Sequence, residues 1–225
     1  LKIGFKVKKL DINTLHMPPL LKINDPNGLS AGVWEITETH DELLKKAALS
    51  AEEKKVLDSY KNEGRRMQWL AVRALLGEFM SPRPVIEYKE NGKPFLPGRK
   101  EHISISHSGK LAAIALHNTI NPGIDVEEIH PKINKIAHRF VSDTEMSYLN
   151  QDTLTEQLCI IWAAKEVLYK TNTEGMLSFK QNLSVSRFKL ADKTEFQGTI
   201  HKDGIITTHK LLCQKINNYI LVYTL

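Results

Sequence analysis

Asn121-Pro122-Gly123-Ile124-Asp125-Val126-Glu127-Glu128 divides the chain into two similar halves. Asn-Pro-Gly forms a turn, and residues 124–128 read as the strand that leaves it. Side chains alternate along a strand, so Asp125 and Glu127 face one way and Val126 the other. Ahead of the turn come a short strand at 33–37 and a polar helix at 41–48. A helix capped by Ser50 and Glu53 runs to about 62, Gly64 interrupts, and a further helix spans 65–79. Ser81, Pro82 and Pro84 end it, and strand-like pieces follow at 85–88, 102–106 and 111–117. Beyond the turn the order repeats. Helical patterns at 132–138, 143–149 and 153–171 follow the strand, and strand-like pieces lie at 183–190, 195–202, 205–214 and 219–225. This order predicts an α+β fold of two similar lobes, 1–122 and 123–225, each with helices on a small antiparallel sheet. The two halves do not repeat residue by residue.

Over 225 residues, 41% are hydrophobic and 25% charged, which excludes a disordered or fibrous chain. No apolar run is long enough to span a bilayer, and residues 1–10 do not read as a signal peptide. Cys159 and Cys213 sit in apolar runs and read as buried thiols of a cytoplasmic protein. A net charge of +5 suits an anionic partner. The lysines are dispersed and aromatics make up only 7%, so nucleic acid is not the expected partner. Nor is a membrane; a monomer is expected.

Two carboxylates on one strand face repel unless a cation neutralises them, and oxygen ligands suit a hard ion such as Mg²⁺. A polar sheet edge is the plainer reading of Asp125 and Glu127. On the helix at 153–171, Trp162, Glu166 and Lys170 fall at i, i+4 and i+8 on one stripe. That stripe offers a third carboxylate, or an exposed Glu166–Lys170 pair. Ser106, His107 and the Ser108-Gly109 backbone form a polar strand end able to donate to a phosphate, or an ordinary turn. Lys93 leaves the Asn91-Gly92 turn. Arg65 and Arg66 open a helix where free N–H groups attract anions, and Arg66 shares a face with Arg73. The histidines show no zinc spacing.

Together these pieces resemble the 4′-phosphopantetheinyl transferase family, in its Sfp-type, pseudo-dimeric branch. The matching stretches are Arg65-Arg-Met-Gln-Trp-Leu-Ala-Val-Arg73, Gly92-Lys93-Pro94, Ile105-Ser-His-Ser108, Gly123-Ile-Asp-Val-Glu127, Arg139-Phe140 with Glu145, and Trp162-Ala-Ala-Lys-Glu-Val-Leu-Tyr-Lys170. The most specific pair is Gly-x-Asp-x-Glu followed about 35 residues later by Trp-x-x-Lys-Glu-x-x-x-Lys. The resemblance implies an α+β fold of two lobes with the active site in the cleft between them. It implies transfer of the phosphopantetheine arm of coenzyme A to a serine of an apo acyl or peptidyl carrier protein, as in holo-[acyl-carrier-protein] synthases. Mg²⁺ is the implied cofactor, on Asp125, Glu127 and Glu166. Glu166 is the implied base for the carrier serine, and Lys170 the cation beside the attacked phosphate. Lys165 is implied to orient phosphate or carboxylate in the same cleft. Lys93, Ser106, His107 and either Arg65 or Arg66 are implied to bind the 3′-phosphate end of coenzyme A. A Mg²⁺-dependent phosphohydrolase or nuclease, and a non-catalytic coenzyme A or carrier-binding relative, are the alternatives.

Overall fold

A computed structural model describes residues 19–172 and 175–225; the expectation for residues 1–10 falls outside them. The first sheet, in spatial order, is β1 (Leu21–Asn24), β2 (Leu29–Glu35), β6 (Leu111–His117) and β5 (His102–Ser108), all antiparallel. Helices α1 (His40–Ala47), α2 (Ala51–Ser59) and α3 (Glu63–Gly77) lie between β2 and a two-stranded ribbon, β3 (Glu87–Tyr88) with β4 (Pro94–Phe95). The second sheet runs β7 (Ile124–Glu128), β11 (Tyr219–Thr224), β10 (Ile205–Ile216), β9 (Lys193–Lys202) and β8 (Leu183–Val185). Between β7 and β8 come α4 (Lys132–Ile136), α5 (Asp143–Met146) and the long α6 (Leu154–Thr171). The α+β reading holds. The turn at 121–123 falls between β6, the last strand of the first sheet in chain order, and β7, the first strand of the second. Among the described residues no helix is long and apolar enough to cross a membrane.

The expected cap at Ser50 forms. Ser50 accepts from the Glu53 N–H while the Glu53 carboxylate accepts from the Ser50 N–H, and Thr39 with Glu42 repeats the box unforeseen. Gly64 does not interrupt. The Asn62 side chain caps Arg65 N at 2.9 Å, so the helix begins before the glycine. Strand β6, Leu-Ala-Ala-Ile-Ala-Leu-His, is buried along its whole length. Its Ala112, Ile114 and Leu116 meet α3, and its Leu111, Ala113 and Ala115 meet a different core. In the second sheet Ile220 and Val222 of β11 pack under α6, while Leu221 and Tyr223 point the other way. The faces turned from the helices share that third core, with Ala31 and Val33 from one sheet and Ile124 and Val126 from the other.

Register then fixes the site. Val126 lies in the shared core and Asp125 pairs with Val222, so Asp125 and Glu127 must face α6. Gly123 lets this happen, because a Cβ there would stand 2.6 Å from the Val167 carbonyl oxygen and 2.7 Å from Val167 Cγ1. Gly123→Ala is therefore expected to push α6 off β7. It should cost about 1–3 kcal/mol, seen as a melting temperature lower by several degrees. An unchanged melting curve would show that the helix can yield.

Candidate active site

Asp125 is buried on β7, and its Oδ1 accepts from Lys170 Nζ at 2.7 Å and from Ser106 Oγ at 2.7 Å. Lys170 Nζ also donates to the Ile124 carbonyl at 2.9 Å, which ties the end of α6 to the start of β7. Lys170 therefore pairs with Asp125, and the exposed pair with Glu166 does not form. Glu127 Oε1 accepts from Trp162 Nε1 at 2.9 Å. The indole is held between Phe140 and Phe179, with ring centroids 5.1 and 5.2 Å away. The i, i+4, i+8 stripe of α6 thus meets the carboxylate face of β7, as the spacing predicts.

Burial, and then the charge of Asp125, push the Glu127 carboxyl up to about 7. The same two causes push Glu166 up to about 7. Asp125 Oδ2 is buried and has no hydrogen-bond partner. An orphaned oxygen beside two carboxyls that resist ionisation is an environment that a hard cation would relieve. The donor set, all carboxylate oxygen, fits such an ion. As the side chains stand, no three His, Cys, Asp or Glu among the described residues already form a metal-holding group.

Glu166 and Lys170 open onto a cavity of about 670 Å³ whose far wall comes from the first half of the chain. Lys93 reaches across and donates from Nζ to the Lys170 carbonyl at 3.3 Å, placing a cation at the C-terminal end of α6. Arg65 Nη1 lies 3.3 Å from His107 Nδ1. Burial first, and then Arg65, lower the His107 pKa to about 4, so the ring is neutral near pH 7. Guanidinium can only donate, so Nδ1 accepts and the ring proton sits on Nε2. Tyr88, Lys89, Arg99 and Lys100 also line the cavity and were not singled out in the sequence. Their signal was the basic content flanking the Asn91-Gly92 turn.

Four expectations change. Lys165 does not face the cavity. It is fully buried, and its ammonium donates to the Glu145 carboxylate at 2.8 Å and to the Phe140 and Phe179 carbonyls at 2.6 and 2.9 Å. All three hydrogens are committed, so it is a core ion. Ser106 is also absent from the cavity wall, its hydroxyl donating to Asp125 and accepting from Val126 N. Arg66 turns away toward Asp58 and His40, so of this adjacent pair Arg65 is the one on the cavity. Arg73 shares no site with Arg66. It is buried against Glu53 and stacks on the Trp69 ring at 3.1 Å, an arrangement that holds α3 to α2.

Comparison with known proteins supplies a second line. The sequence model of the 4′-phosphopantetheinyl transferase superfamily matches residues 121–224. The chain is 38% identical over 112 residues to the 4′-phosphopantetheinyl transferase AcpT of Escherichia coli K12, covering 47% of this chain and 57% of that protein. It is 37% identical over 93 residues to the 4′-phosphopantetheinyl transferase Sfp of Bacillus subtilis 168, covering 39% and 41%. It is 30% identical over 150 residues to the 4′-phosphopantetheinyl transferase gsp of Aneurinibacillus migulanus, covering 60% of each. The chain thus spans about half the length of the curated relatives it matches.

Proposed function

We propose that the chain moves the phosphopantetheine arm of coenzyme A to a carrier-protein serine, a reading supported by the match of residues 121–224 to the 4′-phosphopantetheinyl transferase superfamily. Adenosine 3′,5′-bisphosphate is the other product. One observation carries this reading: Glu166 and Lys170 of α6 share one cavity with a basic wall from the other half of the chain, and Lys170 links that cavity to Asp125 on β7 behind it. Coenzyme A has the matching chemistry, a pyrophosphate for the first and a 3′-phosphate for the second.

Asp125, Glu127 and Glu166 would hold the divalent cation, Mg²⁺ in this reading. When bound, it neutralises charge on the pyrophosphate and improves the bisphosphate as a leaving group. Glu166 stands in the cavity wall with a carboxyl whose proton affinity lies near neutrality, suited to taking the proton of an incoming serine hydroxyl. Lys170, one turn on, supplies fixed positive charge where charge develops on the attacked phosphate. On the far wall His107 Nε2–H, Arg65 and Lys93 supply donors for the 3′-phosphate. A net charge of +5 suits an acidic carrier surface. Among carriers, acyl and peptidyl types both fit.

The test is to incubate the protein with an apo carrier, Mg²⁺ and coenzyme A, and weigh the carrier. A gain of one phosphopantetheine supports transfer. Phosphate lost from coenzyme A alone means a hydrolase, and binding without change means a non-catalytic module.

Selectivity for the 3′-phosphate follows from the far wall. Arg65→Ala or His107→Ala should weaken coenzyme A binding by roughly 1.5–3 kcal/mol, about 10- to 150-fold. Binding of 3′-dephospho-coenzyme A should change little. Calorimetry on both ligands decides it, and equal losses would place these side chains elsewhere on the ligand.

A further inference from the structure

Strands β5 and β7 are both sheet edges, and they lie side by side. An edge strand leaves every second N–H without a partner, and a buried orphan is costly. Here serine hydroxyls fill the gap. Ser104, Ser106 and Ser108 Oγ accept from the N–H groups of Ile124, Val126 and Glu128 at 3.2, 3.2 and 3.1 Å. The constant offset of 20 residues makes a parallel side-chain ladder between the two sheets.

Each hydroxyl still has one proton to give. Ser106 gives it to Asp125 Oδ1 at 2.7 Å, and Ser108 faces Glu127 Oε2 at 3.3 Å. Opposite Ser104 the corresponding residue is Gly123, which has no side chain. Asp125 Oδ1 is thus occupied by Ser106 and Lys170, and Oδ2 alone is left without a partner. Glu127 is held between Ser108 on one oxygen and Trp162 on the other.

We propose that Ser106 and Ser108 are positioning residues, through which the edge of the first sheet sets the direction in which Asp125 and Glu127 present their carboxylates. The inference rests on the cation-assisted reading above and deepens it. It gives the alternating serines a role other than ligand binding: they carry the docking of one sheet on the other into the geometry of the site. Hydrogen-bond partners behind a metal ligand usually matter about as much as this role requires, roughly 10- to 100-fold in affinity.

Ser104 provides the internal control, since it makes the same ladder bond with no carboxylate beyond it. The three single alanine variants are compared by Mn²⁺ titration, by thermal melting, and by kcat and KM for coenzyme A. All three should melt slightly lower. Ser106→Ala should bind Mn²⁺ roughly 10- to 100-fold more weakly, with lower kcat and little change in KM. Ser108→Ala, whose bond is longer, should show a smaller loss, and Ser104→Ala should bind Mn²⁺ as wild type does. Wild-type Mn²⁺ affinity in Ser106→Ala overturns the proposal, as does an equal loss in Ser104→Ala. A raised KM with unchanged Mn²⁺ affinity would return Ser106 to coenzyme A binding. If Ser106→Ala fails to fold, Ser108→Ala at the more open end of the ladder decides, and full affinity there overturns it. A wild-type protein that binds Mn²⁺ but transfers nothing sinks the transferase reading and leaves the affinity comparison intact. A wild-type protein that binds no Mn²⁺ overturns the positioning role, while the carrier mass still judges transfer.

Discussion

Lys165→Ala is expected to fail as a folding variant, with activity lost in step with structure. The ammonium lies fully buried against Glu145, itself 2% exposed. Removing it leaves a carboxylate in the core with its counter-charge gone, a change that costs about 3–5 kcal/mol. For a chain of this size the melting temperature should fall on the order of 10 °C. Two backbone carbonyls, Phe140 and Phe179, lose a donor at the same time. Their rings flank Trp162, so the support of Glu127 loosens as well. The double variant Lys165→Met with Glu145→Gln separates charge from packing. Glu145 accepts from Val185 N and Ser142 N on separate oxygens, and glutamine, with one amide oxygen, keeps one of the two bonds. With no buried charge left, much of the lost stability should return. If Lys165→Ala instead melts like wild type and only raises KM for coenzyme A, the ammonium belongs to the cavity after all.

The contrast between Lys165 and Glu166 shows where sequence reasoning reached and where it stopped. Helical periodicity placed Trp162, Glu166 and Lys170 on one stripe, and strand alternation placed Asp125 and Glu127 on one face. Both are local rules, and both held because the register of β7 on β11 left no alternative. Lys165 sits one residue off the stripe, and it was the resemblance that put it in the cleft. Its burial depends on Glu145, 20 residues earlier, and on a loop carbonyl 14 residues later. Nothing local announces such a partnership. The serines were legible as an alternating strand, but whether a strand is an edge depends on sheet order. Ser106 therefore read as a phosphate donor when its hydroxyl faces the neighbouring edge. The choice between Arg65 and Arg66 likewise needed the orientation of α3, which is set by Arg73 and Glu53 inside the core. Gly64 misled for a different reason. Glycine is a weak breaker in a first turn, and Asn62 had already capped the helix.

Glu166→Gln should separate stability from turnover in opposite directions. The wild-type carboxyl ionises near 7 in the folded protein, against an ordinary value of 4.5. Burial is the main cause and Asp125 the next. An acid raised in this way binds a proton on folding between those two values. Its contribution to stability is intact below 4.5, is lost as the pH rises toward 7, and stays lost above. Glutamine has no such dependence. In cation-free buffer at pH 8 the variant should therefore be more stable than wild type, by about 1 kcal/mol once partial exposure is allowed for. That is a melting temperature higher by about 2–4 °C. At pH 4 the two should coincide. Turnover should move the other way. Glutamine keeps the shape but cannot take a proton from the carrier serine and is a poorer ligand for a cation. A loss of at least about 100-fold is expected for a base removed from its site. Coenzyme A should still bind, because Arg65, His107 and Lys93 are untouched. A variant that melts below wild type at pH 8 and keeps its rate would make Glu166 an ordinary half-buried helix residue, and the base would have to be sought among the other groups facing the cavity.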